Sequence, residues 1–315
     1  MGTATFAVPS LNVLFEQGYN IDGVITQPDK PSGRGQSFQA PPVKKRAFEL
    51  HLPVYQPSSL KTAEARELVG ALSPEIVVVV AYGKILPPWL LQLPRYGCIN
   101  LHGSLLPKYR GAAPVHWAIA NGESKTGVCT MLLDEGLDTG PVYLCEETQI
   151  EPDETVSQLY DRLAVQGAPL LHATLQGLVS GTLKPKPQDA SQASFAPILK
   201  RENGFLDWGM PATQIHNRVR AFNPWPGAVT RFRGSNCKVL KTKMVTTVGG
   251  GMCTPVPLPG SILASKRSLS VVCGDGIPLE ILSIQAENRK PVSGVDFANG
   301  ARIQPDEKFG SVLDN

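Results

Sequence analysis

The chain lacks any apolar run long enough to cross a bilayer: the longest, Ile76 to Tyr82, falls far short of the roughly 20 residues a membrane helix needs. Its first twenty residues have no basic start, and Glu16 breaks their only apolar stretch, so no secretory signal is expected and a cytoplasmic protein is. Metal motifs are missing as well. The six cysteines (Cys98, Cys129, Cys145, Cys237, Cys253 and Cys273) form no CxxC and no His/Cys pair at zinc spacing. The five histidines include no HExxH, and nothing matches the GxxxxGK(S/T) phosphate loop. These absences predict buried free thiols and chemistry that needs neither a metal nor a nucleoside triphosphate.

What is present is the composition of an ordinary globular protein: 42% hydrophobic residues, 18% charged and a mean hydropathy of -0.07, which leaves out collagen, coiled coil and disulfide scaffold. At 315 residues the chain exceeds the usual single-domain size of roughly 100–150, so two domains are expected. Charge divides unevenly between them. Up to residue 199 there are 15 basic and 18 acidic residues; from Lys200 onward there are 15 and 9. A basic second half points to a polyanionic partner, with a solubility effect as the bland alternative.

The first half alternates short apolar runs with helical spacing, the pattern of a parallel sheet wrapped by helices. Strands are expected at Ile21–Thr26, Ile76–Ala81, Cys98–Leu101, Gly127–Leu132 and Val142–Glu146, and helices at Val8–Gln17, Val43–Leu50, Ala63–Leu72 and from Thr155 to about Val179. The run from Ile76 to Ala81 has no polar alternation, as befits a central strand covered on both faces. After a Pro-, Lys- and Gln-rich stretch, a short helix and about five short strands separated by Gly and Pro suggest a small antiparallel barrel of the OB type. The division is thus a Rossmann-like, doubly wound α/β domain over 1–181, a linker over 182–199 and an OB-like barrel over 200–315. The Gly249-Gly250-Gly251 tract reads as a flexible loop.

In the strand at Cys98, Ile99 and Leu101 take one face while Asn100 and His102 take the other. Two strand residues span about 6.6 Å, so an amide and an imidazole so placed flank one reacting centre at the strand's carboxyl end, where open α/β sheets bind ligands. The turn-rich loop Asp134 to Gly140 follows the next strand. Its Asp138 is either the carboxylate that orients His102 or part of a solvated acidic turn. An amide, an imidazole and a carboxylate favour direct attack of an amine or water on a carbonyl, with the amide stabilising the oxyanion; Ser104 leaves a covalent route open.

The string Asn100-Leu101-His102-Gly103-Ser104-Leu105-Leu106-Pro107, then Arg110-Gly111-Ala112-Ala113-Pro114 and Asp134 to Gly140, resembles the folate-dependent formyltransferases. Phe6-Ala7-Val8-Pro9-Ser10-Leu11, Thr26-Gln27-Pro28-Asp29-Lys30-Pro31, Gly33-Arg34-Gly35, Ala81-Tyr82-Gly83-Lys84-Ile85-Leu86-Pro87 and Arg220-Ala221-Phe222-Asn223-Pro224-Trp225-Pro226 extend the likeness over essentially the whole chain, toward the members that act on initiator tRNA. The resemblance implies transfer of a formyl group from 10-formyltetrahydrofolate to the α-amine of methionine on initiator tRNA. It implies that Asn100 supports the oxyanion, His102 handles the proton and Asp138 holds His102. It also implies a tetrahydrofolate site made by Ser104, Leu105, Leu106 and Pro107, with Tyr82, Gly83, Ile85, Leu86, Leu133 and Asp134 lining the rest.

The tRNA is expected at Arg34, in an exposed Pro/Gly loop that reaches the acceptor end in the family, and at Lys108 and Arg110 beyond the catalytic strand. In the barrel, Arg231 and Arg233, and likewise Lys241 and Lys243, stand two apart in predicted strands, which puts each pair on one face and suits phosphate tracking. A formyltransferase for a sugar nucleotide would share the three catalytic residues without needing these cations, and a non-catalytic RNA-binding protein would need only the barrel. One departure stands out. Family members have a short apolar strand before the Gly-Thr that is Gly2-Thr3 here, and only Met1 precedes it in this chain, so the sheet is expected to lack an inner strand, with a start further upstream or an impaired protein as the two explanations. Ala4-Thr5 also replaces the family's Pro-acidic pair.

Overall fold

A computed structural model describes residues 1–32, 37–245 and 257–310. In chain order its elements are α1 (Val8–Glu16), β1 (Val24–Ile25), β2 (Lys30–Ser32), β3 (Ser37–Gln39), α2 (Pro42–Glu49), β4 (Val54–Tyr55), α3 (Ala63–Leu72), β5 (Val77–Val80), α4 (Pro88–Leu91), β6 (Cys98–His102), α5 (Pro114–Ala120), β7 (Lys125–Leu132) and β8 (Val142–Gln149). There follow α6 (Val156–Val179), α7 (Ala212–Phe222), β9 (Ala228–Phe232), β10 (Ser235–Met244), β11 (Ile262–Ala264), β12 (Leu269–Val272), β13 (Pro278–Ala286), β14 (Val292–Ser293) and α8 (Gly294–Ala301). The chain divides into two compact units. One holds residues 1–114, 125–149 and 158–197; the other holds 115–124, 150–157 and everything from 198 onward, taking in two short segments that no change of composition marks.

The first unit is the expected α/β layer, with a mixed sheet rather than a fully parallel one. β1 and β4 pair in parallel, as do β5 and β6, but β7 runs antiparallel to β6 and β8 antiparallel to β7. Residues 133–141 between β7 and β8 are too few for the crossover a parallel pair requires. The four valines of β5, β-branched and mostly buried, form a strand as predicted, but at one end of the β5-β6-β7-β8 order rather than in its centre, with a single bridge from Val80 to Gly2 on its other side. Helix α3 starts where the Thr62 hydroxyl accepts the amide of Ala65 and stops where Ser73 turns left-handed.

Between β1 and β5 the sheet narrows to a stub. Gly2 bridges Val80 in parallel and its N–H donates to the Ile25 carbonyl, while the Met1 amine donates to Val78 at 2.6 Å. Burial lowers that amine to about 6. Below the stub lies a cavity of about 600 Å³ walled by Ile21, Val24, Val43, Val69, Ile76 and Leu175, among others. Met1 and Gly2 are the residues that join the strands on either side of this cavity, whose walls also include Ser10, Asn20, Asp22 and Glu75.

Helix α6 supports the sheet from one side. Gly167 lies so close to β6 that a Cβ there would sit 2.6 Å from Leu101 Cδ2, and Thr174 shares a 2.7 Å hydrogen bond with Thr130 of β7. Val156, Leu159, Leu163 and Leu171 are buried on the same helix, at the spacing of one helical face. Leu101 faces this helix, so Asn100 and His102 face away from it.

The second unit packs α7 and α8 on a six-stranded antiparallel sheet of order β11-β12-β13-β10-β9, with β14 on β13. The OB-like barrel is not confirmed: among the described residues no ladder joins β9 to β11, and the two edges carry isolated bridges, Phe205–Val229 and Arg231–Gly310 on β9 and Ser261–Lys308 beside β11. The glycine tract at 249–251 lies outside the described residues. Arg220 is buried, and its guanidinium donates to the Glu151 and Glu154 carbonyls and to Asn217. His216 is buried beside it, bonded to the Thr242 hydroxyl and 3.3 Å from Asp153.

The free-thiol expectation fails at one pair. Cys129 and Cys145 form a disulfide, because residues 16 apart in sequence stand opposite each other in the β7–β8 register. Cys98, Cys237 and Cys273 are free and buried, as expected, and Cys253 lies outside the described residues.

Filling the cavity tests its cost. Adding an extended apolar segment of about five residues ahead of Met1 raises the thermal midpoint, each ~1 kcal/mol gained moving a chain longer than 250 residues by about 2 °C or less; an unchanged midpoint in differential scanning calorimetry contradicts the account of the cavity. Burial also lowers the His216 pKa below its ordinary value, so the unfolded chain binds the extra proton first. The stability so contributed is present above the unfolded value of about 6.5 and is lost as pH falls below it, so the midpoint drops between about pH 7.5 and 5.5, and drops less in His216→Gln.

Candidate active site

β6 carries Asn100 and His102 side by side on the face turned away from α6, 9% and 6% exposed. Val79 of β5 and Met131 of β7 flank Asn100 in the ladders. His102 ends the strand. Its Nε2 lies 3.0 Å from the Tyr109 carbonyl oxygen. A carbonyl only accepts, so Nε2 carries the proton and Nδ1 is the basic nitrogen. Tyr109 is held with φ at +60°, a left-handed conformation that costs a bulky residue about 1–3 kcal/mol, and Ser194 Oγ accepts its N–H at 2.9 Å. That strain is spent on aiming one carbonyl at the imidazole.

Nδ1 faces Asp138, whose Oδ2 is 3.7 Å away. The distance is outside hydrogen bonding and within reach of a charge on the ring. Oδ2 accepts instead from the Gly111 N–H at 2.7 Å. Gly111 has φ at +126°, and a Cβ there would lie 2.5 Å from the Ala196 carbonyl oxygen, so only glycine serves at this position. The loop bearing Asp138 leaves β7 next to Cys98, where the Leu133 N–H donates to the Cys98 carbonyl, and folds back to reach His102. It is ordered internally by Asp134, which accepts from the Gly136 N–H and the Thr139 hydroxyl.

Gln188 is the residue that sequence reasoning missed. Its amide donates to the carbonyls of Asp138 and Gly140 at 2.8 and 2.7 Å, while its oxygen accepts from Arg110 at 2.8 and 3.1 Å. It lies in the Pro- and Lys-rich stretch read as linker, where no periodicity or spacing distinguishes it. Arg110, expected on tRNA phosphate, is 6% exposed and holds Gln188, so it acts inside the site's scaffold. Lys108, its neighbour, is exposed.

Of the residues expected on folate, Ser104 is buried and its hydroxyl donates to the Lys108 carbonyl at 2.6 Å, closing the loop that carries the partly buried Leu105, Leu106 and Pro107. Tyr82, Leu86 and Leu133 meet in one apolar cluster with Cys98. The Tyr82 hydroxyl is buried without a hydrogen-bond partner. Between Tyr82 and Leu86, Gly83 turns with a positive φ and Ile85 stands 83% exposed; across the sequence, Leu137 is exposed beside Asp138.

The expected tRNA residues separate. Arg34 lies outside the described residues, within the connection of the β2–β3 hairpin. Lys241 and Lys243 are both exposed on β10 with buried Thr242 between them, so they share a face despite the register shifts nearby. Arg231 and Arg233 do not form the expected row, because β9 ends at Phe232 and Arg233 sits in the left-handed turn beyond it. There Glu307 takes its guanidinium through contacts at 2.6 and 2.9 Å, which also holds the Glu307 carboxyl below its ordinary range.

Comparison with known proteins shows the family. Residues 1–175 match the formyl transferase family and residues 198–302 match the formyl transferase C-terminal domain. The chain is 47% identical over 310 residues to the methionyl-tRNA formyltransferase of Solibacter usitatus, covering 98% of this chain and 97% of that one. It is 47% identical over 301 residues to the enzyme of the same name from Trichlorobacter lovleyi, covering 95% and 92%. Among solved structures, the N-formyltransferase from Helicobacter canadensis, in complex with folinic acid and dTDP-3-aminofucose, is similar in fold, with a TM-score of 0.65 at 20% identity over 90% of this chain and 97% of that one. The chain belongs to the formyl transferase family, alongside the methionyl-tRNA formyltransferases that it matches over nearly its whole length.

Proposed function

We propose that this protein transfers the formyl group of 10-formyltetrahydrofolate to the α-amine of methionine on initiator tRNA, working in the cytoplasm. The observation that carries the chemistry is the buried pair Asn100 and His102 on one strand face with Asp138 opposite the imidazole. The near full-length likeness to methionyl-tRNA formyltransferases supports the choice of acceptor.

The residues present fit a folate: exposed Ile85 and Leu137 offer apolar contact, and the partnerless Tyr82 hydroxyl offers a polar one. Ser104 to Pro107, with Tyr82, Gly83, Ile85, Leu86, Leu133 and Asp134, would hold it, and the bound cofactor would supply the formyl carbon as electrophile. The chain's part is to stabilise charge and move a proton. The Asn100 amide donates to the oxygen that becomes negative as the amine attacks. Nδ1 of His102 takes the amine's proton, and Asp138 stabilises the imidazolium so formed, while the Nε2–H bond to Tyr109 keeps the ring from turning. Ser104 is engaged with Lys108, which favours direct transfer over a seryl intermediate.

The second sheet reads as an OB-like barrel for the tRNA, supported by the bridges that residues 308–310 make to both of its edges. Arg34, Lys108, Arg231, Lys241 and Lys243 are assigned to phosphate, and the domain division at 182–199 stands as part of the same proposal. Arg110 and Arg233 are left out of the tRNA surface because Gln188 and Glu307 hold them.

Incubation with 10-formyltetrahydrofolate and methionyl initiator tRNA, followed by mild deacylation, yields formylmethionine. Asn100→Ala lowers kcat by about 10²–10³ and His102→Ala by about 10²–10⁴; near wild-type turnover in either variant sinks the assignment. Replacing Lys241 and Lys243 together by Ala weakens tRNA binding and flattens its dependence on salt. The log–log slope falls by about 0.9 for each duplex phosphate these lysines neutralise and by about 0.7 for each one on a single strand. Saturating tRNA restores kcat in that variant. An unchanged salt slope moves the tRNA to another face.

A further inference from the structure

His102, Cys129 and Cys145 form one row across the sheet. β6 places His102 opposite Cys129, and β7 places Cys129 opposite Cys145. Directly opposed residues project on the same face, so the disulfide lies on the face that carries Asn100 and the imidazole. Burial is graded along the row: Cys129 is 0% exposed, while Cys145 is exposed. The loop after β6 covers the buried end, since Leu105 Cδ2 lies 2.6 Å from where a Cβ on Gly127 would be, two residues along β7 from Cys129. The bond thus runs from solvent to the side of the proposed catalytic histidine.

We propose that Cys129–Cys145 is a thiol–disulfide exchange site through which a dithiol reductant sets the turnover of the active site, the disulfide being the slow form. The proposal rests on the reading of His102 as catalytic. In the exchange, one thiolate of the reductant attacks the Cys145 sulfur, the S–S bond breaks, and Cys129 leaves as a thiolate that takes up the proton given up by the attacking thiol. The reductant's second thiol then displaces Cys145 and becomes part of a disulfide. The protein gains two electrons and two protons; the reductant loses them.

Release changes the space beside His102. Two sulfurs that were bonded must separate to non-bonded contact, roughly 3.5–4.0 Å for heavy atoms, and the buried one has no solvent to move into. Its neighbour in the row is the imidazole, which in the disulfide form stands 3.7 Å from Asp138, short of a hydrogen bond. The dithiol form allows that gap to close once Nδ1 has taken the amine's proton and can donate to the carboxylate. The three other described cysteines do not compete, because burial pushes the thiols of Cys98 and Cys273 up to about 12 and that of Cys237 to about 11, keeping them protonated.

The test uses the full chain in the disulfide form, before and after dithiothreitol, with native thiol counts and steady-state formylation measured on the same samples. Reduction releases two thiols and raises kcat by about threefold or more, leaving the KM values for tRNA and folate unchanged, since a small misplacement of a catalytic group acts on the chemical step. Oxidised dithiothreitol reverses the gain. Cys145→Ser, at the exposed end, has the kcat of the reduced protein under both conditions. Equal kcat in both states, a bond that dithiothreitol does not open, or a Cys145→Ser variant that still responds to it overturns the proposal. Activity without a redox response removes the switch alone; inactivity in both states removes the catalytic reading and the switch with it.

Discussion

The site depends on β6 being held from behind. Leu101 meets α6 at a position where only glycine allows contact, so the strand lies against the helix and its other face is turned toward the loops. A side chain at position 167 would push the helix away from the strand that bears Asn100 and His102. The adjacent Thr130–Thr174 bond ties β7 to the same helix. Asn100 and His102 therefore sit on a surface whose position is set by packing, which is the form of support that lets a catalytic geometry hold to a fraction of an ångström.

How much of this the sequence announced depends on whether the determinant is local. The alternation in Cys98–His102 put Asn100 and His102 on one face, and the valine run marked a strand though not its place at an end of the sheet, because both patterns are written in adjacent residues while strand order is not. The interior place of Arg110 was not legible, since its partner Gln188 is 78 residues away in a stretch without pattern. Arg233 was assigned to a strand row, yet the strand stops one residue earlier and Glu307 waits 74 residues on. Nor could spacing reveal the disulfide. Cysteines 16 apart say nothing until a strand direction is chosen, and the expected parallel arrangement would have kept them from facing each other.

That strand direction also explains why the acidic loop is so heavily tied. In a parallel sheet, the loop after β7 would emerge at the His102 end of β6, and a carboxylate would arrive there with little chain. β7 runs the other way, so its loop begins beside Cys98 and must return along the strand before Asp138 meets His102. A returning loop has more freedom to lose, at about 1–2 kcal/mol per fixed residue. The bonds that offset this are those observed: Asp134 to Gly136 and Thr139, Gly111 to Asp138, and Gln188 to the Asp138 and Gly140 carbonyls. Gln188 binds both the loop and Arg110, whose backbone continues to Gly111 and Tyr109, the residues that touch Asp138 and His102. The carboxylate and the imidazole are thus positioned by one connected set of bonds that closes through a stretch the sequence offers only as a linker.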